Sequence, residues 1–334
     1  MACALALLML LMLATGYPPL GGVRALVGGS VGSWYAFTSS TLVRAVPLLL
    51  AGCAVAIAFR AGVFNIGAEG QLLVGAAAAG IGLSLPGGGW ITTVLALFAG
   101  ALAGGCWAGI ASYLRERFGV LEVISTIMLN FVALYGISWL VRGPLQEPTH
   151  AYPQSSAVVE SLRLAHIPFA GRLHSGFVLA LALLVLAGWV MRHTAAGFRM
   201  LAVGENPFAA ASAGLIDVPR TVRLAFLVSG AFAGLAGAVE VFGVTYSLYE
   251  DISPGYGYSA IAVALLANLD PWRVIPAALL FGALESGGAA MQRDVGIPST
   301  LVTVVEASLI LVLLLLRMRF GRRTSQRALD RAAA

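Results

Sequence analysis

Apolar stretches long enough to cross a bilayer recur along the whole chain, and this feature limits the possible folds more than any other. The sequence is 59% hydrophobic and only 10% charged, whereas soluble domains carry about 25% charged residues. So few charges cannot cover a surface that faces water, and long apolar runs are the main signal of membrane-spanning helices. We therefore predict an all-α, polytopic membrane protein with about 10 transmembrane helices.

The predicted spans follow one another along the chain, and the longest polar connection between them, about 143–174, is rich in proline. We place them at 2–16, 42–59, 66–83, 91–113, 122–141, 176–191, 223–245, 257–269, 272–290 and 298–316. The first span resembles the apolar part of a signal peptide but lacks a positively charged start, so we expect a retained helix. No long polar stretch could fold separately, and we expect a single membrane domain over residues 1–334.

The distribution of arginine predicts the orientation of the spans, because positive charge favours the cytoplasmic side. If the N-terminus is cytoplasmic and the spans alternate, fourteen arginines fall inside and six outside. Both termini are then cytoplasmic, and the 143–174 connection is an external loop. An error of one span would reverse half of this assignment.

Two blocks of four spans, 42–141 and 223–316, begin on opposite sides of the membrane. This is the pattern of an inverted-topology repeat, which is common in transporters. The second span of each block is interrupted by glycine or proline, at 64–70 and at 254–258. We predict broken short helices at these two places. A membrane tolerates a broken helix only beside a cavity or packed protein, and the sequence leaves both surroundings possible. Glycines spaced four apart, at 100 and 104 and at 230 and 234, would let helices approach closely.

The composition argues against several other classes of protein. The net charge of +5 comes from arginine alone, because the sequence contains no lysine, and a phosphate-binding P-loop requires one. The arginines lie at span ends and do not form a nucleic-acid-binding stripe. Three cysteines within apolar runs and four scattered histidines have no spacing typical of a metal site or disulfide framework. We expect no metal and no cofactor in this chain.

Polar side chains at membrane depth are costly and tend to mark substrate paths. The candidates for a substrate path are Asn65, Glu69, Gln71, Asn130, Glu240 and Tyr256, with Glu285 and Glu306 as further acidic groups. The first three, within one interrupted span, could hydrogen-bond a polar solute, and Tyr256 could stack on a flat ligand. The alternative for each polar group is hydrogen bonding between helices.

A short helix is predicted in the connection between spans six and seven. Asn206 is a suitable N-cap, Pro207 suits the first helical position, and Gly214 is a natural stop. A helix of about two turns is unstable alone in water, so it should dock onto something. Its partner is either the chain's own membrane domain or another protein.

Four segments of the sequence resemble the permease subunits of bacterial ABC importers for simple sugars and nucleosides, which are related to branched-chain amino acid permeases. They are Arg60–Gln71, Phe118–Asn130, Ala202–Gly214 and Gly257–Ala264. Within the third, Ala209-Ala210 followed by Gly214 is similar to the motif through which importer permeases contact their ATPases. The Ile-x-Leu-Pro that follows in the general motif is not reproduced, and Val218-Pro219 lies in its place.

The resemblance implies a permease of the bacterial cytoplasmic membrane that translocates a nucleoside or simple sugar and catalyses no reaction itself. It implies three partners: an ABC ATPase that binds ATP and Mg, an identical or homologous second permease, and an extracytoplasmic solute-binding protein. ATPase coupling would fall to a cytoplasmic coupling segment, about 199–220, through Glu205, Asn206, Pro207, Phe208, Ala209, Ala210 and Gly214. An ion-coupled secondary transporter and a permease for branched-chain amino acids are the alternatives; we find no paired catalytic groups for an intramembrane enzyme.

Overall fold

A computed structural model describes residues 2–81, 89–214, 216–298, 300–304 and 307–308, and these residues fold mainly into helices. Within these ranges, six helices are long and apolar enough to cross a membrane: α3 (Trp34–Arg60), α5 (Trp90–Phe118), α6 (Glu122–Arg142), α7 (Gly176–His193), α10 (Val218–Thr245) and α12 (Pro271–Val295). Shorter helices are α1 (Ala2–Ala14), α2 (Pro19–Val31), α4 (Ala68–Ile81), α8 (Ala195–Glu205), α9 (Pro207–Ser212) and α11 (Tyr256–Leu266). The prediction of a helical membrane protein is thereby confirmed.

The chain divides into two compact units, of which the first joins residues 1–33 to residues 284–334. Its described core contains Leu8, Met12 and Leu26 packed with Met291 and Ile297. The Ser286 hydroxyl donates a hydrogen bond of 2.8 Å to the Gly29 carbonyl within this unit. Apolar burial and this bond therefore hold α1 and α2 against the last part of α12.

The second unit, residues 34–283, is built around α10. This helix packs against α3, α4 and α5, while α11 packs against α3 and α4. Local chemistry sets where α10 begins, because the Asp217 carboxylate accepts a bond of 3.0 Å from the Arg220 amide and Pro219 occupies the first turn. The seven-residue break before α4 lies beside this central helix.

Glycines bring the backbones of α4, α5 and α10 into direct contact. An added Cβ at Gly234 would meet the Gly100 carbonyl oxygen and lie 2.8 Å from the Gly104 Cα. One at Gly75 would meet the backbone of Gly234, and one at Gly230 would meet the Gly104 carbonyl. The two small-residue pairs identified in the sequence thus face each other, which permits close packing without side chains between the helices.

The eight predicted spans from 42–59 to 272–290 each overlap a helix. The prediction of a connection between 16 and 42 was wrong, because α2 occupies much of it. Four glycines in α2 lower its helix propensity, which conceals it, although Pro18 and Pro19 suit a helix start. Most of the predicted span 298–316, with Glu306 and the arginine-rich residues after it, lies outside the described residues.

Candidate functional site

A cavity of about 360 Å³ lies within the second unit, where the first turns of α3 meet the last turns of α10. Its volume falls within the range of small-molecule sites, roughly 300–1,000 Å³. Most of its lining side chains are polar, charged or aromatic, namely Ser39, Ser40, Arg44, Arg172, Glu240, Thr245, Tyr249, Asp251 and Tyr256. The remaining lining residues are Val43, Val244, Ile252 and Pro254. Such a lining suits a polar solute with a flat or partly apolar face.

Both helices change to π-helical geometry where they border the cavity. The π segment of α3 covers Phe37–Leu42 and that of α10 covers Val241–Thr245. Wider turns of this kind interrupt the regular backbone ladder and are frequent at functional sites. Ser39 and Thr245, which line the cavity, lie within these two segments.

Two cationic and two acidic side chains line the cavity: Arg44, Arg172, Glu240 and Asp251. Glu240 is only 5% exposed, and Arg44 interacts with it electrostatically. Among the described residues, none forms a hydrogen bond with the Glu240 carboxyl group. Since a buried carboxyl group normally has hydrogen-bond partners, Glu240 has acceptor capacity available to a molecule in the cavity.

The long connection of residues 143–175 holds the chain that follows α10 in place. Backbone amides of Val158 and Leu164 donate to the carbonyls of Tyr246 and Phe242, at 2.6 and 2.9 Å. The amide of Arg172 donates to the Ser39 hydroxyl at 3.1 Å, and this brings Arg172 to the start of α3. The cavity wall therefore depends on segments that are distant in sequence.

Glu250 anchors the part of this wall that carries Tyr249 and Asp251. Arg142 donates to both Glu250 carboxylate oxygens, at 2.6 and 2.8 Å, and Ser138 donates to one of them. These hydrogen bonds, chiefly those from Arg142, lower the pKa of Glu250 to about 2. Glu250 is therefore ionised at neutral pH and ties the segment to the end of α6.

The predicted cluster at the first interrupted span forms a closed amide network. Asn65 and Gln71 exchange hydrogen bonds of 3.0 and 2.9 Å through their side-chain amides. Asn65 also donates to the Ser229 hydroxyl at 2.9 Å and accepts from the Gly67 amide at 3.0 Å. Because both amides are buried and satisfied by protein, this network braces the break between α3 and α4 against α10.

Two further predicted residues join the interrupted span to its neighbours. Asn130 accepts from the Gly70 amide at 2.8 Å and donates to the Ile66 carbonyl at 3.0 Å. Glu69 accepts from the Gly257 amide at 2.6 Å, at the first turn of α11. A carboxyl group at that position satisfies an otherwise unpaired amide of the helix N-terminus.

The predicted substrate-path residues thus separate into two groups. Glu240 and Tyr256 line the cavity, whereas Asn65, Gln71 and Asn130 do not, and Glu69 lies next to Tyr256 through its bond to Gly257. Glu285, in the first unit, is also absent from the cavity lining. Sequence reasoning missed the other polar lining residues, which are Ser39, Ser40, Arg44, Arg172, Thr245, Tyr249 and Asp251. For Ser39 and Arg44, the available signal was polar side chains at the start of a very apolar span.

The coupling segment folds as its residue types predict. The Asn206 side chain accepts from the amides of Phe208 and Ala209, both at 3.0 Å, and α9 begins at Pro207. Gly214, just beyond α9, has a φ of +72°, which favours glycine. Phe208 is 84% exposed whereas Ala210 is 5% exposed, so α9 buries one face on its own chain and presents Phe208 outward.

Comparison with known proteins places the chain in a family. Residues 37–316 match the family described as the permease component of the branched-chain amino acid transport system. A guanosine ABC transporter permease of Bacillus subtilis, NupP, is 40% identical, with coverage of 90% of this chain and 87% of the relative. A glucose ABC transporter permease of Haloferax volcanii, TsgB13, is 39% identical, covering 83% and 75% of the two chains.

A third relative extends the same pattern. The nucleoside ABC transporter permease NupB of Lactococcus lactis is 33% identical, with coverage of 90% of this chain and 85% of the relative. The family match over residues 37–316 includes both the helices around the cavity and the coupling segment. The chain therefore belongs to the family of ABC transporter permeases described as the permease component of branched-chain amino acid transport systems.

Proposed function

We propose that this permease imports a nucleoside, and that the cavity between α3 and α10 holds the solute on its path. The observation that carries the proposal is the acceptor capacity of Glu240 inside a cavity of about 360 Å³. Tyr249 and Tyr256 offer aromatic faces for a base, and Ser39, Ser40 and Thr245 offer hydroxyls for a ribose. Relatives named for guanosine and nucleosides support the same substrate class.

A simple sugar is the second candidate, because one relative is named for glucose and the hydroxyl groups of the lining suit it equally. The two tyrosines favour a nucleoside, since a base has a flat face on which an aromatic ring can stack. A branched-chain amino acid would need its aliphatic side chain covered. Among the described lining residues, aliphatic contacts come from Val43, Val244, Ile252 and Pro254, a minority of the lining.

The proposed orientation of the helices in the membrane is based on the position of the coupling segment. We place α9 on the cytoplasmic side, so that α10 runs outward and the cavity faces the exterior. The 143–175 connection then lies outside, where an extracytoplasmic solute-binding protein would deliver the solute. In each block the second helix is short, α4 in one and α11 in the other, and this supports an inverted repeat in the cytoplasmic membrane of a bacterium.

The energy for transport comes from a partner ATPase that binds ATP and Mg, and this chain carries no cofactor. Two permeases, identical or homologous, form the membrane part of the complex with two ATPase subunits below them. Closure of the ATPases on ATP displaces the coupling segment and thereby changes access to the cavity. Glu69, Asn65, Gln71 and Asn130 hold the interrupted helices in register during this change.

Uptake by the reconstituted complex tests this function. The permease, its companion permease and the ATPase are placed in proteoliposomes with the solute-binding protein outside, and labelled guanosine, glucose and leucine are supplied. We expect ATP-dependent accumulation of guanosine, with leucine at background. Accumulation of glucose alone would assign a sugar permease, and accumulation driven by a proton or sodium gradient without ATP would contradict the ABC mechanism in favour of a secondary transporter.

Removal of the exposed aromatic ring of the coupling segment should weaken ATPase binding. Phe208→Ala deletes a side chain that packs on little of its own chain, so the permease should accumulate normally. Loss of an interface anchor costs about 1–2 kcal/mol, which predicts a roughly tenfold weaker association with the ATPase in detergent. Phe131→Ala on α6, also an exposed ring, is the matched control. Equal ATPase retention by both variants would contradict the docking role of Phe208.

A further inference from the structure

The turn between α11 and α12 is held in an unfavourable backbone conformation. Asn268 and Leu269 both have a φ of +57°, in the left-handed region that asparagine tolerates but a bulky side chain such as that of Leu269 rarely adopts. The Leu269 amide donates to the Ala264 carbonyl at 2.9 Å, and Asp270 accepts from the Trp272 amide at 3.0 Å. Strained backbone of this kind persists only where surrounding contacts hold it, and it is typical of switch regions.

Two arginines from other helices hold this turn. Arg60, the last residue of α3, donates from Nη1 to the Leu269 carbonyl at 3.4 Å. Arg192, near the end of α7, donates to the Asp270 carboxylate at 2.6 Å, and its guanidinium lies 5.6 Å from the Trp272 ring centroid. The turn is therefore tied to α3 and to α7 at once.

Arg60 also contacts the coupling segment through its backbone, and Arg192 lies shortly before the helix that leads into the segment. An added Cβ at Gly204 would meet the Arg60 carbonyl oxygen, and one at Gly62 would lie 3.2 Å from the Gly204 Cα. Gly204 comes two residues before Asn206, the cap of α9. On the other side, Arg192 lies two residues before Thr194, which caps α8 by accepting from the Gly197 amide at 3.2 Å.

The opposite end of α11 reaches the cavity. This helix has 11 residues and therefore spans about 16 Å. At its first turn Tyr256 lines the cavity, and the Gly257 amide donates to Glu69. A helix this short is held at one end by the turn that the arginines contact and at the other by Glu69, so a displacement of the turn would reach the cavity end.

We infer that Arg60 and Arg192 are positioning residues that couple the movement of the coupling segment to the cavity wall through α11. When the segment moves, the turn moves with it and α11 displaces Tyr256. The inference rests on the proposed function, because it needs a partner ATPase that moves the segment. It assigns to the arginines a role in transmission, beyond the stability of the turn.

The test compares Arg60→Met, Arg192→Met and the double variant with wild type in the reconstituted complex. We expect normal ATPase binding and unchanged basal ATP hydrolysis. Stimulation of hydrolysis by solute-loaded binding protein should fall at least fivefold in each single variant, with uptake at least tenfold lower. Arg60→Lys, which keeps a donor and a charge, should recover at least half of the stimulation. Arg223→Met is the control, because Arg223 forms an equally short ion pair, 2.6 Å with Glu116, away from the turn.

The outcomes separate this inference from the proposed function. Wild-type stimulation and uptake in both methionine variants would overturn the transmission role while leaving the importer assignment intact. Failure of the wild-type complex to bind ATPase or take up solute would overturn the proposed function itself. Equal losses in Arg223→Met would also count against transmission through the turn, since that ion pair does not touch it. A fall in basal hydrolysis matching the fall in stimulation would mean that the arginines serve only general stability.

Discussion

Replacement of Gly234 by valine should abolish accumulation of the folded protein, whereas Gly136→Val should leave it unchanged. A Cβ at Gly234 would meet the Gly100 carbonyl and lie 2.8 Å from the Gly104 Cα, and both obstacles are backbone atoms. A flexible side chain could move aside, but the backbone of α5 cannot do so without separating the helices. Overpacking costs about 1–3 kcal/mol even where the surroundings adapt, so a rigid contact should exceed this range.

The position of Gly234 magnifies this cost, because three helices meet there. The backbones of Gly75 on α4 and Gly104 on α5 both face it. Moving α10 away would open two interfaces together, and close backbone packing is a principal source of helix association in a membrane. Since total stabilities are about 5–15 kcal/mol, loss of both contacts is enough to prevent folding.

Gly136 provides a matched control on α6. An added Cβ there has no atom within 4 Å, so the same substitution meets open space. Protein in the membrane fraction and the elution profile in detergent measure the outcome, with Gly234→Ala as an intermediate variant. A Gly234→Val protein that elutes as a single species, with an unfolding midpoint within about 2 °C of wild type, would contradict the packing argument.

The parts of the fold that can be predicted from sequence are those set by neighbouring residues. Spans, and the start of α9 at Asn206 and Pro207, depend on residues close together in the chain, so local patterns predict them. Helix α2 was missed because glycine lowers its propensity. Its stability comes from packing in which Leu26 meets Met12 and Met291 in one cluster, and the latter is far away in sequence.

The candidate site was predictable only as a set of polar residue types. Sequence identifies Asn65, Gln71 and Glu240 as polar groups at membrane depth but does not identify their partners. Asn65 and Gln71 satisfy each other, whereas Glu240 faces a cavity. Arg172 could not be assigned in advance, because its place depends on how the 143–175 connection folds back to Ser39. The part of all these residues in the solute path stays a prediction until transport is measured.

Glu240→Ala should reduce uptake by about 10–100-fold at normal protein levels. Leaving a buried polar group without its hydrogen-bond partner costs about 1–3 kcal/mol, and each 1.4 kcal/mol corresponds to a factor of ten. Glu240→Gln keeps the size and one acceptor oxygen, so its loss should be smaller. Initial uptake rates over a range of solute concentrations measure the effect. Glu122→Ala is the control, because Glu122 pairs with Arg115 at 3.3 Å and does not line the cavity.

Glu240 could instead serve only to balance the charge of Arg44, and a double variant separates the two roles. If charge balance is its function, Glu240→Ala leaves Arg44 uncompensated, and Arg44→Ala in the same chain should restore uptake. If the carboxyl group binds solute, the double variant should remain at least as defective as Glu240→Ala, because the acceptor is still missing. Recovery of uptake in the double variant, or normal uptake by Glu240→Ala alone, would therefore remove Glu240 from the solute path and leave Tyr249 and Tyr256 as its principal candidates.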